Sequence, residues 1–152
     1  MKRFEFKLQP LLSYRQYLEK IAQQNTAAAH MNVKNCEKQI AELKQTWEHS
    51  ADKIDKIITK GVNASTFREY HNYLDYVQTS IKNEKSRKIQ LKKLLKEKLL
   101  ELKKKSVDKK AMELYKERLK KEYNQEIIKI EQKELDEIVS IKTARTISNE
   151  TI

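Results

Sequence analysis

Apolar side chains in the first sixty residues recur at intervals of three and four, the spacing that keeps one face of an α-helix in register. They include Phe4, Leu8, Leu11, Leu18, Ala22, Ala29, Cys36, Ile40, Leu43, Trp47, Ile54 and Ile57. This is the a/d seam of a coiled coil. Carrying the stripe through Cys36, Ile40, Leu43 and Trp47 in this count implies a stutter near Cys36, with local unwinding. Asn25 and Asn32 interrupt the row with amides, either buried at a-type positions that fix register or exposed on a weak middle. The second half repeats the pattern from Phe67, Tyr70, Leu74, Val77 and Ile81 through Leu91, Leu95, Leu99, Leu102, Met112 and Leu119. It continues to Tyr123, Ile127, Ile130, Leu135, Ile138 and Ile141.

Punctuation between these runs is sparse. The chain holds one glycine, Gly61, and one proline, Pro10. Turns recruit Gly, Pro, Asn and Asp for their special backbone angles, so one sharp reversal is all that this sequence supplies. Gly61 suits the position after a helix end, where positive φ carries no Cβ penalty, and Asn63 or Ser65 can cap the helix that follows. Pro10 belongs in the first turn of helix one, with Gln9 just outside it. The predicted fold is all-α: a long two-helix antiparallel coiled coil, or α-hairpin, forming one domain over residues 1–152. Helix one covers about 10–60, the turn 61–65 and helix two about 66–142, with a flexible tail over 143–152 where the pattern dissolves.

The two helices differ in reach. At 1.5 Å per residue the first spans roughly 75 Å and the second roughly 115 Å. If the chain closes near Val62 and Asn63, residue i faces about residue 125 − i, which puts Leu11 opposite the region of Leu114. Beyond about Leu119 the apolar row continues without a partner in the chain, except what Phe4, Phe6 and Leu8 cover. Each buried aliphatic side chain contributes roughly 1.5 to 3 kcal/mol. An apolar row left in water is therefore a candidate protein-binding surface, or the contact of a homodimer.

Charge is abundant and uneven. Charged residues form 36% of the chain, which places it compositionally among coiled coils and long helices. From Lys82 to Lys121 there are 17 basic and 6 acidic residues, a net of +11 that equals the formal excess of the whole chain. Such a stretch is a solvated face or a surface for phosphate or acidic protein. Tyr115 is its only aromatic, which disfavours nucleic acid as the partner, since interleaved aromatics that stack on bases are missing.

Candidate chemistry is thin. Cys36 is the single cysteine, so no intrachain disulfide or cysteine-based metal site is expected, which suits a reducing cytosol. His30, His49 and His71 lack partners at ligand spacing, and Glu131, Glu134, Asp136 and Glu137 scatter around a helix instead of converging. That acidic group reads as a solvated face or a contact for a basic partner. No glycine loop exists to cradle phosphate, and no cofactor, small-molecule substrate or catalysis is expected. No apolar run is long enough to span a bilayer, and the basic start Met1-Lys2-Arg3 lacks the apolar core of a secretory signal. Tyr70 is a seam residue, while Tyr73 and Tyr76 drift off the seam, so at least one of them should be exposed; exposed aromatics favour partner binding.

Three groups of residues together carry a family resemblance. They are Phe4-x-Phe6-x-Leu8-Gln9-x-Leu11-Leu12-x-Tyr14-Arg15 with Glu19 and Ala22, then Gly61-Val62 leading to Phe67-x-x-Tyr70-x-x-Tyr73-Leu74, and finally Glu131-Gln132-Lys133-Glu134-Leu135-Asp136-Glu137. In this order and spacing the chain resembles the flagellar FliJ family; the stalk protein of a virulence-type secretion apparatus is the alternative in the same class. The resemblance implies a non-enzymatic part of the type III export apparatus, similar to the central shaft of rotary ATPases. It would be cytoplasmic and peripherally held at the inner face of the cell membrane at the flagellar base, meeting the membrane only through partners.

The end that carries both termini would enter the export ATPase ring, through Phe4, Leu8, Leu11, Tyr123, Ile127, Ile130, Leu135 and Ile138. The cytoplasmic domain of the export gate would be met by Gln39, Leu43, Tyr73 and Val77, and export chaperones would be further partners. Thr46, Ser50, Ser80 and Glu84 occupy further positions of the gate surface but depart from the residue types of the family. A basic nucleic-acid-binding coiled coil and a homodimeric coiled-coil adaptor are the competing readings from the residues alone.

Overall fold

In the computed structural model, which describes residues 3–150, the chain forms two helices, α1 (Gln9–Thr59) and α2 (Ala64–Glu150). They are antiparallel partners in an α-hairpin coiled coil, with no strand among the described residues. At 51 and 87 residues they run about 77 Å and about 130 Å.

The reversal between them is built from backbone chemistry. Gly61 has φ of 89°, a left-handed conformation that L side chains rarely adopt, and its N–H donates to the Ile58 carbonyl at 3.1 Å. Asn63, and not Ser65, caps α2. Its Oδ1 accepts the Ser65 N–H at 2.7 Å, and its carbonyl accepts the Phe67 N–H at 3.0 Å. At the other end of α1, Gln9 donates its N–H to Phe6 and Leu12 donates to Leu8, both at 3.0 Å. Pro10 thus sits in a first turn, where its missing N–H would have found no helical acceptor.

The contact seam departs from the one counted by apolar residues alone. Along α1, buried and half-buried positions step by three and four without interruption through Leu12, Arg15, Glu19, Ala22, Thr26, Ala29, Val33, Cys36, Ile40, Leu43, Trp47, Ser50, Ile54 and Ile57. The predicted stutter near Cys36 is absent. Four of these positions, Arg15, Glu19, Thr26 and Ser50, are polar, and skipping Arg15 and Glu19 brought the off-seam Leu18 into the apolar count. Asn25 and Asn32 are exposed; Thr26 and Val33 hold the seam beside them. A matching unbroken row runs along α2 from Leu74 to Tyr123. Glu37 meets Lys88 at 3.3 Å and Gln9 meets Lys116 at 2.6 Å, two pairs in the predicted register of i opposite 125 − i.

The contacts fall into two compact units. In the unit of residues 17–106, Ala22, Ala29, Val33, Cys36, Ile40, Ile54 and Val77 are buried. Two seam residues there bond across the helix pair. The Thr26 hydroxyl lies 2.8 Å from the Ala22 carbonyl and 3.2 Å from that of Lys98, and the Cys36 thiol donates to the Glu84 carbonyl at 3.4 Å. Burial pushes the Cys36 thiol pKa up, and the Glu84 carboxylate beside it adds to the shift.

In the unit of residues 3–16 and 107–150, Phe6, Leu12 and Met112 form the core, with Phe4 and Leu119 packed against it. The Arg15 guanidinium reaches the Asp108 carbonyl at 2.7 Å. Leu8 and Leu11, expected on the seam, are 41% and 39% exposed, while Phe6 and Leu12 are 7% and 3% exposed. Residues 3–6 are not helical, so counting threes and fours back from α1 does not reach them correctly. α2 also continues as helix through 143–150, where the loss of periodicity predicts a tail. Losing the apolar stripe removes packing, but no Gly or Pro stops the helix, and Thr143 and Thr146 return their hydroxyls to the Val139 and Lys142 carbonyls at 2.9 and 3.0 Å. Residues 151 and 152 lie outside the described residues.

Candidate protein-interaction surface

Beyond Tyr123 the exposure of α2 changes. Ile127 is half-buried and every residue from 128 to 149 is exposed. Their apolar members are large: Ile128, Ile130, Leu135, Ile138, Val139 and Ile141 are each at least half exposed. At 3.6 residues per turn, these six and Ile127 fall within about one half of the helix circumference. A strict seam count passes over Ile128 and Val139, because it follows a narrow stripe where the helix carries a broad one. Glu131, Glu134, Asp136 and Glu137 are exposed among them. No group of His, Cys, Asp or Glu among the described residues could hold a metal ion.

The neighbouring N-terminal segment brings three of the predicted ring residues together. Phe4 and Tyr123 hold their rings 5.5 Å apart, and with Leu8 they line an open groove of about 660 Å³ that also takes in Phe6, Tyr115 and Leu119. Phe6 anchors the segment from beneath: its ring lies 6.2 Å from Tyr115 and 5.7 Å from the Lys116 ammonium. Leu11 does not line this groove. Ile130, Leu135 and Ile138 stand on the exposed face of α2 farther along.

Within the unit of residues 17–106, the predicted gate residues divide. Gln39 and Leu43 line a shallow open groove of about 420 Å³ with Glu42, Thr46, Glu84 and Arg87. Tyr73 is 45% exposed, whereas Val77 is 4% exposed and offers no surface of its own. Tyr76, at 70%, is more exposed than Tyr73, and both project from the seam that Tyr70 helps to form. On another flank, Lys44, Trp47, Asp75, Gln78, Ile81 and Lys82 line a groove of about 620 Å³, and the buried Trp47 indole N–H has no hydrogen-bond partner.

No helix among the described residues is long and apolar enough to cross a membrane. A solved structure described as a YscO homologue from Chlamydia trachomatis aligns with 91% of this chain and 94% of that chain, at 18% identity and a TM-score of 0.42. Comparison with curated protein sequences finds no match. The model of the flagellar FliJ protein matches residues 4–148, nearly the whole described chain. Two antiparallel helices, one central reversal and a match of this extent mean that the chain belongs to the flagellar FliJ family, a family of flagellar type III protein export.

Proposed function

We propose that this chain is a non-enzymatic stalk that binds the export ATPase ring and couples it to the export gate. The observation that carries the reading is the exposed apolar face of α2 between Ile127 and Ile141. Exposed aliphatic rows of this length are interaction surfaces in water-soluble helices, and a helix face with anchors at i, i+3, i+8 and i+11, as Ile127, Ile130, Leu135 and Ile138 are, fits a groove or ring lumen. Phe4, Leu8, Leu11 and Tyr123 extend the ring-binding surface, and Ile127, Ile130, Leu135 and Ile138 form its far part. Gln39, Leu43 and Tyr73 would meet the cytoplasmic domain of the gate, with Val77 supporting them from the seam. Export chaperones are handled by the same protein, which acts at the inner face of the membrane at the flagellar base.

The test is a pull-down with the flagellar export ATPase, together with its stimulated hydrolysis rate. Replacing Ile127, Ile130 and Leu135 by Asp is expected to abolish both while leaving helicity unchanged. Undiminished binding and stimulation would overturn the ring assignment. A homodimeric adaptor would bury the same face against a second copy; in that case the triple variant would turn a dimer into a monomer in solution without touching ATPase binding.

A further inference from the structure

The basic part of α2 has a second stripe that the stalk reading does not use. Ile89, Lys93, Lys96, Leu100 and Lys103 step by four, three, four and three, so they share one face of the helix, and all five are exposed. The seam residues Leu91, Leu95, Lys98 and Leu102 stand about 150° around the helix from them. Ile89 and Leu100 are 71% and 61% exposed, more than most aliphatic residues of the chain. Lys82, Lys85, Lys92 and Lys104 flank the stripe, all of them exposed. From Lys82 to Lys105 there are 11 basic and 3 acidic residues. Of the three acids, Glu84 is half-buried in the seam with Arg87 at 3.4 Å, Glu101 lies 3.4 Å from Lys98, and Glu97 stands at the margin of the stripe.

We propose that this face lies on an anionic lipid bilayer, with the lysines at the headgroups and Ile89 and Leu100 inserted at the acyl boundary. Charge complementarity selects an anionic partner, because clusters of Lys on one helix face gain attraction from each acidic headgroup they approach. The two aliphatic side chains select lipid over nucleic acid. Ile89 and Leu100 stand about 16 Å apart along a convex face and contribute nothing to a phosphate backbone, whereas they insert readily into an interface. No aromatic residue lies between Lys82 and Ser106 to stack on a base. The lysine stems are long enough to keep their ammonium groups at headgroup level while the aliphatics go deeper. The surface is independent of the ATPase-binding reading and replaces the expectation that the membrane is met only through partners.

The experiment is co-sedimentation of the full chain with phosphatidylserine-containing vesicles and with pure phosphatidylcholine vesicles, at low and high salt. Binding to the anionic vesicles alone, lost at high salt, is expected. The K93Q/K96Q/K103Q variant should bind roughly a hundredfold more weakly, and the I89S/L100S variant roughly tenfold more weakly with its salt dependence kept. All five positions are exposed, so circular dichroism should match the parent. Absence of binding to anionic vesicles overturns the proposal. So does an I89S/L100S variant that binds like the parent while a DNA duplex is held more tightly than the vesicles, which would make the face a phosphate-binding surface.

Discussion

Phe4 meets Tyr123 with ring centroids 5.5 Å apart and planes tilted by 50°, and this pair marks where α2 leaves the cover of the N-terminal segment. The segment before α1 has no helical hydrogen bonds of its own over residues 3–6, so its aromatic anchors hold it in place. Tilted aromatic pairs contribute about 0.5 to 1.5 kcal/mol beyond the area they bury. Replacing Phe4 by Ala should therefore free the segment without unfolding α1. Hydrogen exchange should show faster exchange for the Gln9 and Leu12 amides, and a double-mutant cycle with Tyr123→Ala should give a coupling of about 1 kcal/mol. Additive effects of the two replacements would mean that the rings do not interact.

Buried and exposed leucines of the same unit should behave differently. Leu12 is 3% exposed in the Phe6 and Met112 core, so Leu12→Ala is expected to cost about 2 to 5 kcal/mol in urea denaturation. Leu135 is 61% exposed, and Leu135→Ser should change stability by no more than about 0.5 kcal/mol. If Leu135→Ser were as costly as Leu12→Ala, the α2 face would already be covered in the isolated protein.

At the reversal, Gly61→Ala puts a Cβ on a residue with φ of 89°, with nothing within 4 Å of it. The cost is therefore backbone strain alone, about 1 to 2 kcal/mol. Asn63→Ala removes the acceptor of the Ser65 N–H and should cost about 1 kcal/mol. Thermal melts check both, and Asn63→Asp should retain most of the stability because its carboxylate accepts the same bond.

Cys36 is 2% exposed, and the raised pKa that burial and Glu84 impose keeps its thiol neutral. The folded state disfavours the thiolate. The thiol's contribution to stability is thus constant through neutral pH and falls as pH rises past the ordinary thiol value, where the unfolded chain ionises first. Reaction with a thiol reagent should be at least about tenfold slower in the native protein than in denaturant. Equal rates would show that the seam opens freely at Cys36. Replacing Cys36 by Ala should flatten the alkaline fall in stability.

Helix type, helix count, the single reversal and the antiparallel register were legible because each rests on local chemistry. Threes and fours identify a helix, a lone glycine marks the break, and a short connection sets residue i against about 125 − i. The uneven lengths followed from the position of Gly61. Most of the seam was legible too, but not its first turns, since Arg15, Glu19 and Thr26 look like surface residues until carbonyls of the opposite helix, such as those of Asp108 and Lys98, come within hydrogen-bond reach of Arg15 and Thr26.

Local order thus came from the sequence, through backbone propensity and periodicity. The tertiary structure decided which residues near the N-terminus face inward, because burial is a contest among neighbouring residues for one contact line. Phe6 and Leu12 displaced Leu8 and Leu11 from that line once the chain before Gln9 left helical geometry. Val77 on the seam and Tyr73 at the surface, by contrast, stand where the periodicity of the second half already put them. Pairwise contact across two helices selects among apolar residues that a count along one helix treats as equal.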